Sequence, residues 1–140
     1  RMMSVRQQDC AGSPGLAVTY QLAPNTWATC ARPLPEPTDW RLYSGLSVRY
    51  QAPQGCQLIL IAYEDGPNHS LLHFECPLPP GNDQWQEAVI PWKQFRQPDW
   101  QGDPKQDFRP ERARGLAFIL HPGDQPVAGE FRIARAAPFK

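Results

Sequence analysis

Seventeen prolines are spread through these 140 residues, more than twice the usual share of about 5%. No other feature restricts the fold as strongly. Proline fixes its own φ and has no amide hydrogen to donate, so a helix interior excludes it. A chain this dense in proline is either disordered or a series of short strands joined by proline-punctuated turns. Five tryptophans, four tyrosines and six phenylalanines decide between the two, because disordered segments lack apolar surface to bury. The expectation is therefore short strands.

Period-two alternation locates them. In residues 16–22, Leu16, Val18, Tyr20 and Leu22 share one side. Residues 26–32 form a short strand with Trp27 and Cys30, and the proline-bearing stretch 34–38, with Pro35 and Pro37, reads as a connection. Residues 46–51 alternate cleanly, with Leu46, Val48 and Tyr50 inward. Residues 57–64 are apolar on both faces (Leu58, Leu60 and Ala62 against Ile59, Ile61 and Tyr63), the mark of a central strand. Residues 65–68 turn by their chemistry, and 70–76 return as the hairpin partner, with Leu72, Phe74 and Cys76 on one face and Leu71, His73 and Glu75 on the other. Further strands are expected at 85–90, 115–121 and 129–136, with a one-turn helix near Lys93 to Phe95 and a long surface loop over 98–110. The predicted fold is all-β: a single domain over residues 1–140, an antiparallel two-sheet β-sandwich, with a jelly roll of about eight strands as the economical architecture.

Lys plus Arg (14) balance Asp plus Glu (14). Without a basic stripe there is no electrostatic footprint for nucleic acid, nor a polybasic segment for an anionic membrane. The longest apolar run, 58–62, is far short of the ~20 residues of a membrane-spanning helix. The chain opens at Arg1-Met2-Met3 without a signal-peptide core, so any targeting segment is absent from it. Cys10, Cys30, Cys56 and Cys76 contain no C-x-x-C pair, which disfavours a zinc knuckle. In a secreted chain they would form two disulfides, with three connectivities open; the alternative is four separate buried thiols.

Catalytic signatures are missing: no G-x-S-x-G elbow, no phosphate-binding glycine loop, no H-E-x-x-H. His69 and His73 share a parity, but a metal site would need His121 as well, and none is expected. Glu64, Asp65, Glu75, Glu87, Asp99, Asp103 and Asp107 include no pair fixed across a bond as a glycosidase requires, and read as solvated loops and strand ends. Asn68-His69-Ser70 matches a glycosylation acceptor pattern, a frequent chance match.

Aromatics carry more information. A sugar ring offers C–H patches on its faces and hydroxyls on its rim, which a flat aromatic and nearby polar side chains satisfy together. Tyr63, with His73 and Glu75 on the neighbouring strand, supplies both kinds of group on the face opposite Leu60 and Phe74. Trp27 and Trp100 flank that face, whereas Trp85 and Trp92 belong to core and edge packing.

Four segments then carry a resemblance. Tyr43-Ser44-Gly45-Leu46-Ser47-Val48 is similar to a Y-x-G-L-x-V strand, and 58–66 to L-x-L-x-x-x-x-D-G. Residues 85–95 (WQEAVIPWKQF) are similar to W-x-x-x-x-I-P-x-x-x-F, and 129–133 to a closing G-x-F-x-I-D strand. In order and spacing these resemble the family 11 carbohydrate-binding modules and the related galactose-binding-like jelly roll of the complex I intermediate-associated type. The resemblance covers residues 16–136. It implies a non-catalytic, secreted, monomeric module that binds a β-glucan-like polysaccharide or oligosaccharide, linked to a catalytic domain. It implies ligand contacts at Tyr63, His73, Glu75 and Trp27. Where the pattern has Asp after the closing Ile, an acid that often supports a structural calcium, this chain has Ala134 and then Arg135, so no cofactor is expected. The competing expectation is a structural or protein-interaction sandwich accessory to a larger enzyme.

Overall fold

The alternating segments pair as antiparallel strands. The computed structural model describes residues 2–10, 13–101, 106–121 and 125–140. In chain order the strands are β1 (Met2–Cys10), β2 (Ser13–Leu22), β3 (Ala28–Thr38), β4 (Gly45–Gln51), β5 (Leu58–Asp65), β6 (Leu71–Pro77), β7 (Trp85–Pro91), β8 (Ala113–Leu120) and β9 (Val127–Phe139). They form a five-stranded sheet in the order β1-β2-β9-β4-β7 and a four-stranded sheet in the order β3-β8-β5-β6. Without β1, the orders β2-β9-β4-β7 and β3-β8-β5-β6 are those of an eight-stranded jelly roll. The ninth strand, β1, pairs as a hairpin with β2; no alternation in residues 2–10 had pointed to it. Among the described residues no helix is long and apolar enough to cross a membrane.

The inward parities are those the alternation predicted. Val18, Tyr20, Leu22, Leu46, Val48, Tyr50, Phe131 and Ile133 from one sheet meet Leu58, Leu60, Ala62, Phe74, Phe118 and Leu120 from the other. Each Val, Leu, Ile or Phe among them contributes about 1.5–3 kcal/mol by leaving water. Tyr50 reaches the far edge of this core, where its hydroxyl donates to the Pro79 carbonyl (2.7 Å).

Three expectations are corrected. The first is the proline-rich connection, because β3 runs through Pro33, Pro35 and Pro37 to Thr38. It is an edge strand paired only with β8, so its prolines need no second row of donors. The register slips between Pro33 and Thr38, opposite Gly115 and Ala113. Gly115 sits at the slip with φ +108°, and a Cβ there would lie 2.2 Å from the Arg32 carbonyl oxygen.

The second correction is the disulfides. Cys30, Cys56 and Cys76 are free thiols, partly buried against the core; the side chain of Cys10 lies outside what the structure describes. Cys30 and Cys76 share a row but are separated by β8 and β5, about 14 Å at the usual strand spacing, twice what a bridge can span.

The third is the 98–110 loop, of which 102–105, and with them Asp103, lie outside the described residues. It is not merely a surface excursion. Its end returns Phe108 to the core, with ring centroids 5.4 Å from Phe74, 5.1 Å from Trp92 and 6.3 Å from Phe95. Trp92 starts the expected helical turn, Trp92–Gln94, stacks on Trp40 at 5.8 Å, and donates its indole N–H to the Tyr43 carbonyl (2.8 Å). Trp85 sits under the Arg49 guanidinium at 5.7 Å.

Candidate functional site

The outer face of the four-stranded sheet takes the alternate residues of β5 and β6. Tyr63 lies directly opposite His73, and Ile61 opposite Glu75. Next to β6 the chain makes one more backbone pairing. Glu75 and Arg96 exchange N–H···O bonds of 2.8 and 3.0 Å, and Arg96 also bridges to Asp107. The chain therefore leaves at Arg96 and returns at Asp107 beside the sheet edge. The side-chain oxygen of Gln97 accepts the Gln106 N–H within this arm (2.7 Å). The turn Asp99–Gln101 at its tip carries Trp100.

This geometry lines up three rings. Tyr63 meets His73 edge-on at 5.0 Å, and His73 meets Trp100 edge-on at 5.0 Å. Tyr63 is only 5% exposed, whereas Trp100 is 69% exposed. Tyr63, together with Ile61 and Ala117, belongs to a second buried cluster on this outer face, flanked by Leu71 and Ile119. Burial lowers the pKa of His73 and raises that of Tyr63, so at neutral pH both are uncharged hydrogen-bonding groups.

The arm is bolted down by an ion pair that pattern reading missed. Glu64, on the core side of β5, is fully buried. It accepts the Arg109 backbone N–H at Oε1 (2.7 Å) and the Arg109 Nε and Nη2 at Oε2 (3.1 and 2.8 Å). Its neighbour Asp65, on the outer side, accepts Arg114 Nη1 (2.6 Å) and Arg112 Nη2 (3.1 Å). Arg114 in turn donates to the Leu34 carbonyl of β3 (2.8 Å). These two acids are not solvated strand ends. A signal existed: a strand apolar on both faces runs directly into Glu64-Asp65, and buried carboxylates need cationic partners.

The structure thus brings Tyr63, His73, Glu75 and Trp100 together. Trp27 stands apart. It is 53% exposed, with its ring 6.5 Å from His121, just before the row Thr29–Ile119–Ile59. That puts it about six residues, or ~20 Å, along the strand direction from Tyr63. The histidines are likewise dispersed: His69 lies in a turn 4.0 Å from Asp65, His73 beneath Trp100, and His121 beside Trp27. Among the described residues no group of three or more His, Cys, Asp or Glu could hold a metal ion. Within β9, Ala134 and Arg135 provide a methyl and a guanidinium where a calcium-supporting acid would stand, a donor set that does not fit a cation.

No protein-family model matches the chain, and no curated protein does. Solved structures do. A family 11 carbohydrate-binding module from Clostridium thermocellum, in complex with a β-1,3-1,4-mixed-linked tetrasaccharide, superposes with a TM-score of 0.79 at 15% identity, over 99% of this chain and 82% of that one. The family 11 module of the cellulosomal cellulase Lic26A-Cel5E from the same organism gives 0.79 at 16% identity, over 99% and 81%. A family 30 module of another of its cellulosomal cellulases gives 0.69 at 12% identity, over 95% and 80%. The chain therefore has the β-sandwich fold of the family 11 and family 30 carbohydrate-binding modules.

Proposed function

We propose that the protein is a non-catalytic carbohydrate-binding module, taking a β-glucan-like chain on the outer face of the β3-β8-β5-β6 sheet. One observation carries this reading: an exposed indole, Trp100, held edge-on by His73, which in turn packs on Tyr63, on the sheet face that carries Glu75, on a sandwich of the carbohydrate-binding-module fold. Trp100 supplies the flat apolar surface for a pyranose face, and His73 and Glu75 supply polar atoms for its rim. Tyr63 works from beneath, its buried ring fixing the tilt of His73. Trp27 forms a second, distant contact for a longer oligosaccharide. The module binds without breaking a bond: among the described residues the buried acids Glu64 and Asp65 are committed to Arg109, Arg112 and Arg114. The module serves a larger secreted polysaccharide-degrading protein, delivering its catalytic domain to substrate, and binds as a monomer without calcium.

The test is affinity electrophoresis in native gels containing mixed-linkage β-1,3-1,4-glucan. Migration should be retarded, and equally so with chelator. Trp100→Ala should weaken retention about tenfold, the scale of one ring contact, and Trp27→Ala should do so only on long chains. Unretarded wild-type protein across a panel of soluble glucans would refute the reading and favour a structural or protein-interaction domain. Unchanged retention of Trp100→Ala would remove Trp100 from the site.

A further inference from the structure

On the opposite side of β3 from the glycan face, the two sheets do not close on one another. A cavity of about 330 Å³ opens between β3 and β8 on one side and β2 and β9 on the other. The sequence accounts for it. At Ala134 the pairing of β9 with β4 slips, Tyr50 facing Ile133 while Arg49 faces Arg135, and a bulge of this kind bends the strand. Beyond the slip, the partly buried residue facing the core is Ala136. It leaves unfilled a space that the large residues Phe131 and Ile133 occupy further down the same strand. Cys30, Leu34, Trp40, Leu116 and Ile133 add carbon and sulfur side chains to its wall. A void of this kind destabilises a core, and apolar cavities stay dry and accept apolar guests.

Two arginines border this lining, Arg32 and Arg135; Arg135 pairs with Arg49 on the outward parity of the β4–β9 sheet, so Arg32 is the charged residue on the core-facing parity. Arg32 occupies the register position after Cys30 on the core-facing parity of β3, opposite Leu116, and it borders the cavity at the solvent edge. Among the described residues its guanidinium has no hydrogen-bond or ion-pair partner. An inward-placed charge protects an edge strand from pairing with another chain, but that role does not require an apolar hole beside it. A largely apolar interior of this size with one core-facing cation at its mouth matches a molecule that has a hydrocarbon tail and one negative end.

We propose that this inter-sheet cavity is a second binding site, separate from the glycan face, for a medium-chain aliphatic carboxylate. The tail fills the space over Ala136 and Ile133, and the carboxylate pairs with Arg32. Such a ligand fills the void with methylenes packed against the apolar wall.

Cys30 provides a built-in reporter, since its thiol lines the cavity while Cys76, on the far strand β6, does not. Burial raises the pKa of both thiols, so labelling is done at pH 9. The chain is treated with iodoacetamide with and without decanoate, and modification at each cysteine is followed by mass spectrometry. Decanoate should slow labelling of Cys30 at least tenfold and leave Cys76 unchanged, with 1-decanol weaker than decanoate. Arg32→Ala should lower the apparent decanoate affinity five- to tenfold while removing the preference over decanol. Ala136→Leu, which fills the cavity, should abolish protection by the ligand. Equal labelling of Cys30 with and without decanoate overturns the proposal, as does protection of Cys30 and Cys76 alike. Unaltered decanoate binding in both variants also overturns it. The wild-type comparison stands without the variants should Ala136→Leu fail to fold. Glucan retention is untouched by these outcomes, so the two sites stand or fall separately.

Discussion

Arg109→Ala tests whether the Trp100 arm is held by a buried charge. In the folded protein, Glu64 Oε2 accepts two guanidinium bonds, at 3.1 and 2.8 Å, and Oε1 accepts the backbone N–H of residue 109. Substitution by alanine keeps the backbone bond and removes the other two, leaving half of a fully buried carboxylate without a partner. Breaking a buried pair from one side costs about 3–5 kcal/mol. The Arg109 side chain is itself 48% exposed, so water enters the space it vacates and screens the orphaned charge. We therefore take the low end, about 3 kcal/mol, which for a chain of this length lowers Tm by about 10 °C. Thermal unfolding followed by near-ultraviolet circular dichroism measures it. The double variant Glu64→Gln with Arg109→Ala removes the orphaned charge while the amide oxygen still accepts the residue 109 N–H, and should recover part of the loss. A fall below about 3 °C in the single variant, or a double variant less stable than the single, would refute the reasoning.

Phe108→Ala should cost about 3–4 kcal/mol, since its ring is wedged among Phe74, Trp92 and Phe95, and denaturant unfolding would report it as a lower midpoint at constant slope. Burial lowers the pKa of His73 below the ordinary 6.5, so below that pH the unfolded chain binds the proton more readily than the folded one. Stability linked to His73 is therefore fully present above about pH 6.5 and falls as the pH drops from there through the folded pKa. The Tm difference between wild type and His73→Gln should narrow over that interval, and parallel curves would show that His73 is not coupled to folding. Because Cys30, Cys56 and Cys76 are free, an unreduced, unfolded sample should yield at least these three thiols by alkylation and mass measurement, and reductant should leave Tm unchanged.

The linear sequence determined those features that obey short-range rules. Proline density excluded helices, and period-two alternation assigned Leu60 and Phe74 inward and Tyr63, His73 and Glu75 outward, as the strands place them. Parity is local, so the pattern alone carries it. Pairing is not local, and there the structure decided. Whether Pro33, Pro35 and Pro37 lie in a strand depends on β3 having a neighbour on one side only, a property of sheet order. Whether Tyr63 or Trp100 offers an exposed ring depends on Arg96 pairing beside β6 and carrying Trp100 over His73. The partners of Glu64 and Asp65 are 45 and 49 positions away, at Arg109 and Arg114, and no spacing rule connects them. The gap over Ala136 exists only because a slipped register in one sheet faces an edge strand in the other. Side-chain direction is a property of one strand, whereas exposure, charge pairing and voids arise only when distant strands are brought together.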